Sequence, residues 1–515
     1  MADYTGTGAE GDFYSNPNPA RNREIQTEQD KLPIEMTREN PHYSARKWQM
    51  NTNIMAVEGG RPYVDARLTR YAGESKIDWV GGTRSDGSRV TGRLQQSHSF
   101  PYPRRISDKL NQYVFNQEPA RDGIDESFKL DASADGSSIN DLMIQANDFR
   151  TSCGWCWIGV DMPDIGDAPI SQADVRSQKI RPYWSIYSPL EVKDWKFDAI
   201  GNLLWLITEG MEYESTIPTV QPQTVKVRRI WTKGAVQVIK SVKNKEGKWE
   251  IRSREDKVRA YQPIPFVLVG ETFSGGYAFD DIESINRSIM DLESVNRANF
   301  FRSSYPQMVL PESVLQNVAD SYGTDVAGAS ELVFGMNYPI LVSEGDISPF
   351  YLMPDASALK APREEIQSLK KNMFDSVGLM LQNDSKQVAS AESKAWDFLD
   401  VAQVMKARAQ ILEDAETRAA KITNEMDRSI PLWTPVYNRD FDIGDFEQEI
   451  SALIMTVNAP MPVEMSRLIL EKIVNRLDRI GSGMSDEQRE VVLDAIKNFD
   501  PNAFGIAPME GDDET

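Results

Sequence analysis

Two cysteines, two histidines and one run of aspartates are the residues whose spacing could do chemistry in this chain. Cys153-Gly154-Trp155-Cys156 has the spacing of a redox dithiol. Such a pair works when its first thiol opens a helix directly after a strand, where the helix N-terminus lowers the thiol pKa. Here the pair stands at the start of an apolar run, and Gly154 to Asp161 reads as a buried strand, so core packing is the expectation. The two cysteines cannot complete a four-ligand zinc site, because His42 and His98 lie far away in sequence. Asp161, Asp164 and Asp167, in Asp-Met-Pro-Asp-Ile-Gly-Asp, offer oxygen ligands of the kind a metal-dependent hydrolase or nuclease would use. They lack the spacing and the closing Glu of an EF-type loop, which makes a solvated turn the plainer reading. Gly6-x-Gly8-x-x-Gly11 spells a dinucleotide fingerprint, with no strand before it and no amphipathic helix after it. P-loop, Gly-x-Ser-x-Gly and His-Glu-x-x-His motifs are missing, and two histidines leave little imidazole for general-base work. The expectation is a protein that is not an enzyme, with no cofactor and no metal.

The elements that would position any site are organised around Phe279 to Met426. Ile282, Ile285, Ile289 and Leu292 recur at helical spacing, while Asp281, Glu283, Arg287, Asp291, Glu293 and Arg297 occupy the reverse side. That geometry predicts a helix whose apolar stripe packs within the subunit and whose charged side meets neighbours. An insert rich in Gly, Pro and short apolar runs follows, with strand candidates at Gln307 to Leu310, Leu332 to Phe334 and Tyr338 to Val342. A second helix starts at Ala361-Pro362, where Pro is tolerated in the first turn, and carries Ile366, Leu369, Met373, Val377 and Met380. The loop Gln382-Asn383-Asp384-Ser385-Lys386-Gln387 has no apolar face. From Ser393 to Met426 there is neither Gly nor Pro, which predicts a helix of roughly 50 Å.

Upstream, residues 1–40 read as a flexible arm and 41–278 as an α/β body whose β-rich part covers 181–269. Helices are expected over Ile106 to Phe115 and Ile139 to Thr151. Strands are expected over Tyr183 to Tyr187, Leu203 to Thr208, Val225 to Trp231, Ala235 to Ile239 and Ile264 to Val269. Asp198 to Asn202 and Asn244 to Lys248 read as hairpin turns. Downstream come a strand-like stretch, Ile430 to Asp442, and short helices over Phe446 to Val457, Val463 to Arg479 and Asp486 to Phe499. Residues 501–515 form an acidic tail. The fold class is α+β, in several domains.

Charge narrows the partners. The chain has 515 residues and a formal net charge of −21, which argues against gripping nucleic acid through a broad basic face. Arg61 to Arg121 is the exception, with 11 basic and 6 acidic residues, and reads as a face paired against acidic neighbours. The insert is the opposite: Glu331, Glu344 and Asp346 stand among further acids with only Lys360 as a base, which suits a partner's cationic face. No apolar run approaches the roughly 18 residues that a membrane helix needs, and no secretory leader is visible at Met1-Ala2-Asp3-Tyr4.

An α/β body followed by helix, small lobe, helix, polar loop, long helix and a helical C-terminus resembles the portal proteins of tailed bacteriophages. Arg181-Pro182-Tyr183-Trp184 through Trp195-Lys196-Phe197-Asp198 and Gly201-Asn202-Leu203 is similar to that family's strand–turn–strand. Ile264-Pro265-Phe266-Val267 precedes the first helix in the same place. Ser390-Ala391-Glu392-Ser393-Lys394-Ala395-Trp396-Asp397-Phe398-Leu399 is similar to the segment leaving the family's tunnel loop. The resemblance implies a ring, usually a dodecamer, at one capsid vertex of the virion, assembled in the host cytoplasm. Double-stranded DNA would enter through it, driven by a separate terminase, and later leave through it. It implies a wing over 41–278, stem helices over 279–305 and 361–380, and a clip over 306–360. It further implies a tunnel loop over 381–392, a long helix and wing return over 393–459, and a crown over 460–500. The major capsid protein, scaffold and head-completion or tail connector proteins would be partners, with the tunnel loop touching DNA and the clip docking. Two other classes fit parts of the sequence: a metal-dependent hydrolase built on Asp161, Asp164 and Asp167, and a capsid scaffold or head-completion protein.

Overall fold

The structure is a computed structural model that describes residues 33–83, 89–133, 135–163, 180–215, 221–270, 273, 278–304, 307–323, 340–342, 348, 350–352, 360–377, 391–439, 463–479 and 486–498. Two compact units emerge. The first gathers Met1–Gln112, Ala120–Asp384 and Gln410–Val436, the second Tyr113–Pro119, Ser385–Ala409 and Tyr437–Thr515.

The first unit opens with helices α1 (Ile34–Thr37), α2 (Pro41–Glu58) and α3 (Gly60–Arg67). Asn40 caps α2 by accepting the His42 N–H, and Pro41 occupies the first turn, where its missing N–H does no harm. Gly59 and Gly60 make the corner into α3 with φ of 66° and 72°, a conformation that side chains with a Cβ resist. Helix α2 was not legible from apolar spacing because Thr52 and Asn53 sit on its buried face beside Tyr43, Met50 and Ala56.

Next come α4 (Lys76–Val80), the hairpin β1 (Gly81–Thr83) and β2 (Arg89–Thr91), α5 (Arg93–Gln96) and α6 (Tyr102–Val114). Strand β3 (Ala120–Asp122), α7 (Glu126–Leu130) and α8 (Ile139–Cys153) follow. Ser138 and Asp141 close α8 with a reciprocal capping box, and Gly154 ends it in the left-handed region at φ 92°. Strand β4 (Cys156–Asp161) then runs between β5 (Tyr183–Tyr187) and β11 (Phe266–Val269), antiparallel to both.

Strands β6 (Val192–Phe197), β7 (Leu203–Glu214), β8 (Gln223–Thr232), β9 (Ala235–Lys243) and β10 (Trp249–Val258) form a five-stranded antiparallel meander. Both expected hairpin turns are present: the Asp198 carboxylate accepts from the N–H of Ile200 and Asn202, and Asn244 does the same for Glu246 and Lys248. Strand β10 escaped the sequence reading because it is an edge whose middle is Arg252-Ser253-Arg254-Glu255-Asp256, charged as exposed edges often are. One face of the meander packs Val225, Val227 and Trp231 with Trp155, Trp157 and Trp195. Phe273 lies 4.6 Å from Trp195, centroid to centroid. The N-terminal segment is tied to the sheet by Arg228, 2% exposed, whose guanidinium donates to the carbonyls of Met36 and Arg38. Arg38 in turn reaches Asp194 at 2.7 Å and lies over the Trp205 ring.

The chain then enters α9 (Ala278–Ser304), which begins and ends within a residue of the expected helix. Strand β12 (Gln307–Pro311) pairs parallel with β13 (Ile340–Val342) and antiparallel with β14 (Phe350–Leu352). Helix α10 (Glu312–Tyr322), absent from the sequence reading, starts directly at Pro311. Helix α11 (Lys360–Asp375) packs against α9, and α12 (Ala391–Met426) is the long helix, 36 residues or roughly 54 Å. Strand β15 (Thr434–Val436) pairs with β3. In the second unit α13 (Val463–Arg479) packs on α14 (Asp486–Lys497), and Phe115 meets Tyr437 edge-on at 5.9 Å. The strand expected over Leu332 to Phe334 and the helix over Phe446 to Val457 lie outside the described residues, as do residues 1–32 of the arm and the acidic tail. The arm reading over 1–40 is corrected at its end: 33–40 are not a free arm, because Met36 is buried and Arg228 and Asp194 bind this segment to the sheet.

On α12 the buried positions Met405, Ala409, Leu412, Ala415, Ala419, Ala420 and Thr423 make a stripe of mostly small side chains. Glu416 lies in that stripe at 0% exposure. The Arg121 Nε donates to its carboxylate at 2.7 Å and the Trp433 Nε1 at 3.2 Å. Removing one partner of a buried ion pair strands the other charge. Glu416→Ala is therefore expected to lower stability by about 3–5 kcal/mol, read as a shift of the urea midpoint of the first unit. A change below about 1 kcal/mol would mean that the pair is solvated in solution.

Candidate functional site

Helix α9 is where residues from the whole first unit converge. Its first turn places Asp280 against Arg46, whose Nη2 donates to both carboxylate oxygens at 3.0 and 2.8 Å. Asn53 Nδ2 adds a third bond at 2.9 Å. One turn on, Glu283 is 2% exposed and accepts from Arg67 Nε at 2.8 Å, Arg67 Nη2 at 3.2 Å and the Tyr63 hydroxyl at 3.2 Å. Burial and the adjacent Glu283 charge push the Tyr63 phenol well above its ordinary value. Two turns further, Asp291 accepts the Thr69 N–H at 2.8 Å and the Thr69 hydroxyl at 2.7 Å. Ser294 accepts from Arg93 at 2.7 Å and donates to the Asp291 carbonyl at 2.6 Å. Arg93 is shared with Glu74, and its hydrogen bonds hold that carboxyl below the usual range.

This placement corrects the simple two-faced reading of the helix. Of its six charged residues singled out above, Glu283 and Asp291 turn inward to partners on the N-terminal helices and the segment after them. Asp281 and Arg297 are exposed, Arg287 and Glu293 half-buried. Glu293 reaches Lys370 of α11 at 4.0 Å. Asp280, which periodicity alone did not single out, is the most heavily bonded acid of the first turn. Two members of the basic stretch Arg61 to Arg121 reach acids outside it, Arg67 and Arg121, while Arg61, Arg93 and Arg104 pair with the stretch's own acids. Arg61 pairs with Asp65, Arg67 with Glu283, Arg93 with Glu74, Arg104 with Asp108 and Arg121 with Glu416.

Between α9, α11 and residues 96–100 lies a groove of about 520 Å³. Arg297, Arg363 and His98 stand on its walls, with Phe100, Gln367 and Asn296. Residues 382–387 of the proposed DNA loop, and Glu331, Glu344 and Asp346 of the insert, lie outside the described residues.

The cysteines are placed the reverse of a redox dithiol. Cys153 ends helix α8 and Cys156 starts strand β4, so the first thiol sits at a helix C-terminus, where the dipole opposes a thiolate. Both are fully buried. The Cys156 thiol donates to the Ala146 carbonyl at 3.3 Å. Burial pushes Cys153 up to about 12 and raises Cys156 as well. Asp161 is half-buried at the end of β4 and accepts the Met162 N–H at 2.9 Å, while Asp164 and Asp167 lie outside the described residues. Among the described residues no group of three or more His, Cys, Asp or Glu could hold a metal ion. No helix among them is long and apolar enough to cross a membrane.

No family model matches the chain. No curated protein matches it either. Among solved structures it is similar to a chain in the virion of a native gene transfer agent particle and to one in the neck of the empty particle. Each is 10% identical with a TM-score of 0.38, over 72% of this chain and 90% of the other. Likeness at that level establishes neither family nor function.

The thiol environment sets a direct expectation. A thiol raised in the folded state favours folding below the unfolded value near 9 and loses that contribution as pH rises through the folded value. Native protein at pH 8 is thus expected to leave both cysteines unmodified by a thiol-reactive dye until denaturant is added, and stability is expected to fall above about pH 9. Rapid labelling of native protein would contradict this burial.

Proposed function

We propose that this chain is the subunit of a portal-type ring through which double-stranded DNA is packed into, and later leaves, a phage capsid. The observation that carries the reading is the order of elements: a sheet-rich body, α9, a small mixed lobe, α11, the 36-residue α12 and a helical C-terminal unit. On this reading α9 and α11 are the stem, residues 306–360 the clip, 381–392 the tunnel loop and 460–500 the crown. The protein has no catalytic role, and the terminase supplies the work. The capsid protein, scaffold and head-completion or tail connector proteins meet it at the vertex, the acidic insert with Glu331, Glu344 and Asp346 serving as a docking surface.

Electrostatics supports a conduit over a grip. Twelve copies would carry about −250 formal charges before screening, a field that repels DNA from a channel wall. The loop Gln382, Asn383, Asp384, Ser385, Lys386, Gln387 would supply amide and hydroxyl contacts to phosphates, with one Lys per copy and no base selectivity.

Native mass measurement of the purified chain is expected to show assemblies of roughly 700 kDa, about twelve times 58.1 kDa. A monomer or dimer at every concentration and salt would contradict the proposal. Shortening the 382–387 loop is expected to leave rings intact and impair DNA translocation or retention, with Lys386→Glu milder. Full-length packaging with the shortened loop would remove the loop from the mechanism.

A further inference from the structure

One carboxylate serves three cations where helix α2 meets the meander. Glu209 of β7 stands 3.2 Å from Arg228 Nη1, 3.7 Å from Lys226 Nζ and 3.9 Å from Lys193 Nζ. The other acids at this place are engaged, Glu39 with Lys47 at 2.8 Å and Asp194 with Arg38 at 2.7 Å. Lys193 of β6 is the most distant of the three cations from Glu209. Its Nζ donates instead to the Tyr43 hydroxyl in the first turns of α2, at 2.6 Å. Burial and the adjacent Glu39 charge push that phenol up to about 12, so Tyr43 is a neutral partner that brings no compensating charge.

An ammonium in this position is the form that the surroundings disfavour. Only 17% of the Lys193 side chain is exposed. Burial lowers its pKa, with the Arg228 and Lys47 charges adding to that and Glu209 and Glu39 opposing it. Arg228 keeps its proton at any working pH and Lys226 sits closer to Glu209, so Lys193 is the cation of the three that can give one up. The result is a neutral amine beside two fixed positive charges, in a pocket that draws anions.

We propose that Lys193 is a modification site, a nucleophilic lysine that takes the acyl group of a small acyl phosphate. The neutral Nζ attacks the acyl carbon. An N–C bond forms as the bond from that carbon to the phosphate oxygen breaks. Phosphate leaves with the electron pair, and one proton passes from the nitrogen to water. The surplus cations favour an anionic donor, and the amide product carries no charge, which leaves Glu209 to Arg228 and Lys226 alone. Since the Nζ is also what joins β6 to Tyr43, acylation rewrites a contact between α2 and the sheet. Neither a second copy nor DNA is needed, so this site and the ring reading stand or fall separately.

Full-length protein treated with acetyl phosphate at neutral pH, with acetylation of each lysine followed by peptide mass spectrometry, tests this. Lys193 is expected to react about threefold or more faster than Lys245, which is exposed in a hairpin turn. The pH profile of its rate is expected to lie below that of the same lysine in a short unfolded peptide. Lys226→Met removes a competing cation and is expected to slow Lys193, whereas Glu209→Gln removes the shared carboxylate and is expected to speed it. A loosened fold would expose Lys193 in both variants and move both rates the same way. Lys193 reacting no faster than Lys245, or both variants shifting the rate in one direction, would overturn the proposal. If Glu209→Gln does not fold, a Lys226→Met rate no slower than that of the unaltered protein overturns it alone.

Discussion

Helix α9 can be buried only if its acids are neutralised, and much of the first unit follows from that. Its packed side holds Phe279, Ile282, Ile289 and Met290, but also Glu283 at 2% exposure. A carboxylate at that depth without a partner would cost several kcal/mol, or would take up a proton. Arg67 and Tyr63 of α3 meet it, Arg46 and Asn53 of α2 meet Asp280, and Thr69 meets Asp291. These contacts fix the helix in register against three separate parts of the N-terminal region. Apolar contacts alone would hold it less specifically, since a hydrophobic stripe tolerates sliding and a set of hydrogen-bonded charges does not.

The same device recurs. Glu416 of α12 is held by Arg121 across 295 residues of sequence, and Arg228 of β8 holds Met36 across 192. Such pairs add little net stability over well-packed apolar groups. Their contribution is to make distant segments meet in one arrangement.

Much of this was legible in the sequence where periodicity is strong. The limits of α9, α12 and α13 fall within two residues of those expected, α12 from a run without Gly or Pro and α9 from apolar spacing together with the family resemblance, and β5 matches end to end. Hairpin chemistry placed the turns at Asp198 to Asn202 and Asn244 to Lys248. Three kinds of element escaped. Helix α2 buries Thr52 and Asn53, so its stripe is broken; β10 is a charged edge; α10 sits in an insert read as strands. The anchoring cluster escaped for a different reason. Tyr63, Arg67 and Thr69 lie over 200 positions from Glu283 and Asp291, and no local spacing signals a pair that only tertiary structure creates. The sign of the Arg61 to Arg121 stretch was visible, but the pairing of Arg67 and Arg121 with the distant Glu283 and Glu416 was not.

The central claim is that α9 is a fixed rail because its buried acids are bonded to the N-terminal helices. A double-mutant cycle on Arg67→Met and Glu283→Gln, followed by chemical denaturation, tests it most directly. Each single change is expected to cost about 3 kcal/mol, with a coupling energy of about 2 kcal/mol or more, because the second substitution removes the charge that the first one stranded. Additive effects, with coupling within about 0.5 kcal/mol of zero, would show that the helix is held by its apolar stripe alone and would contradict the account.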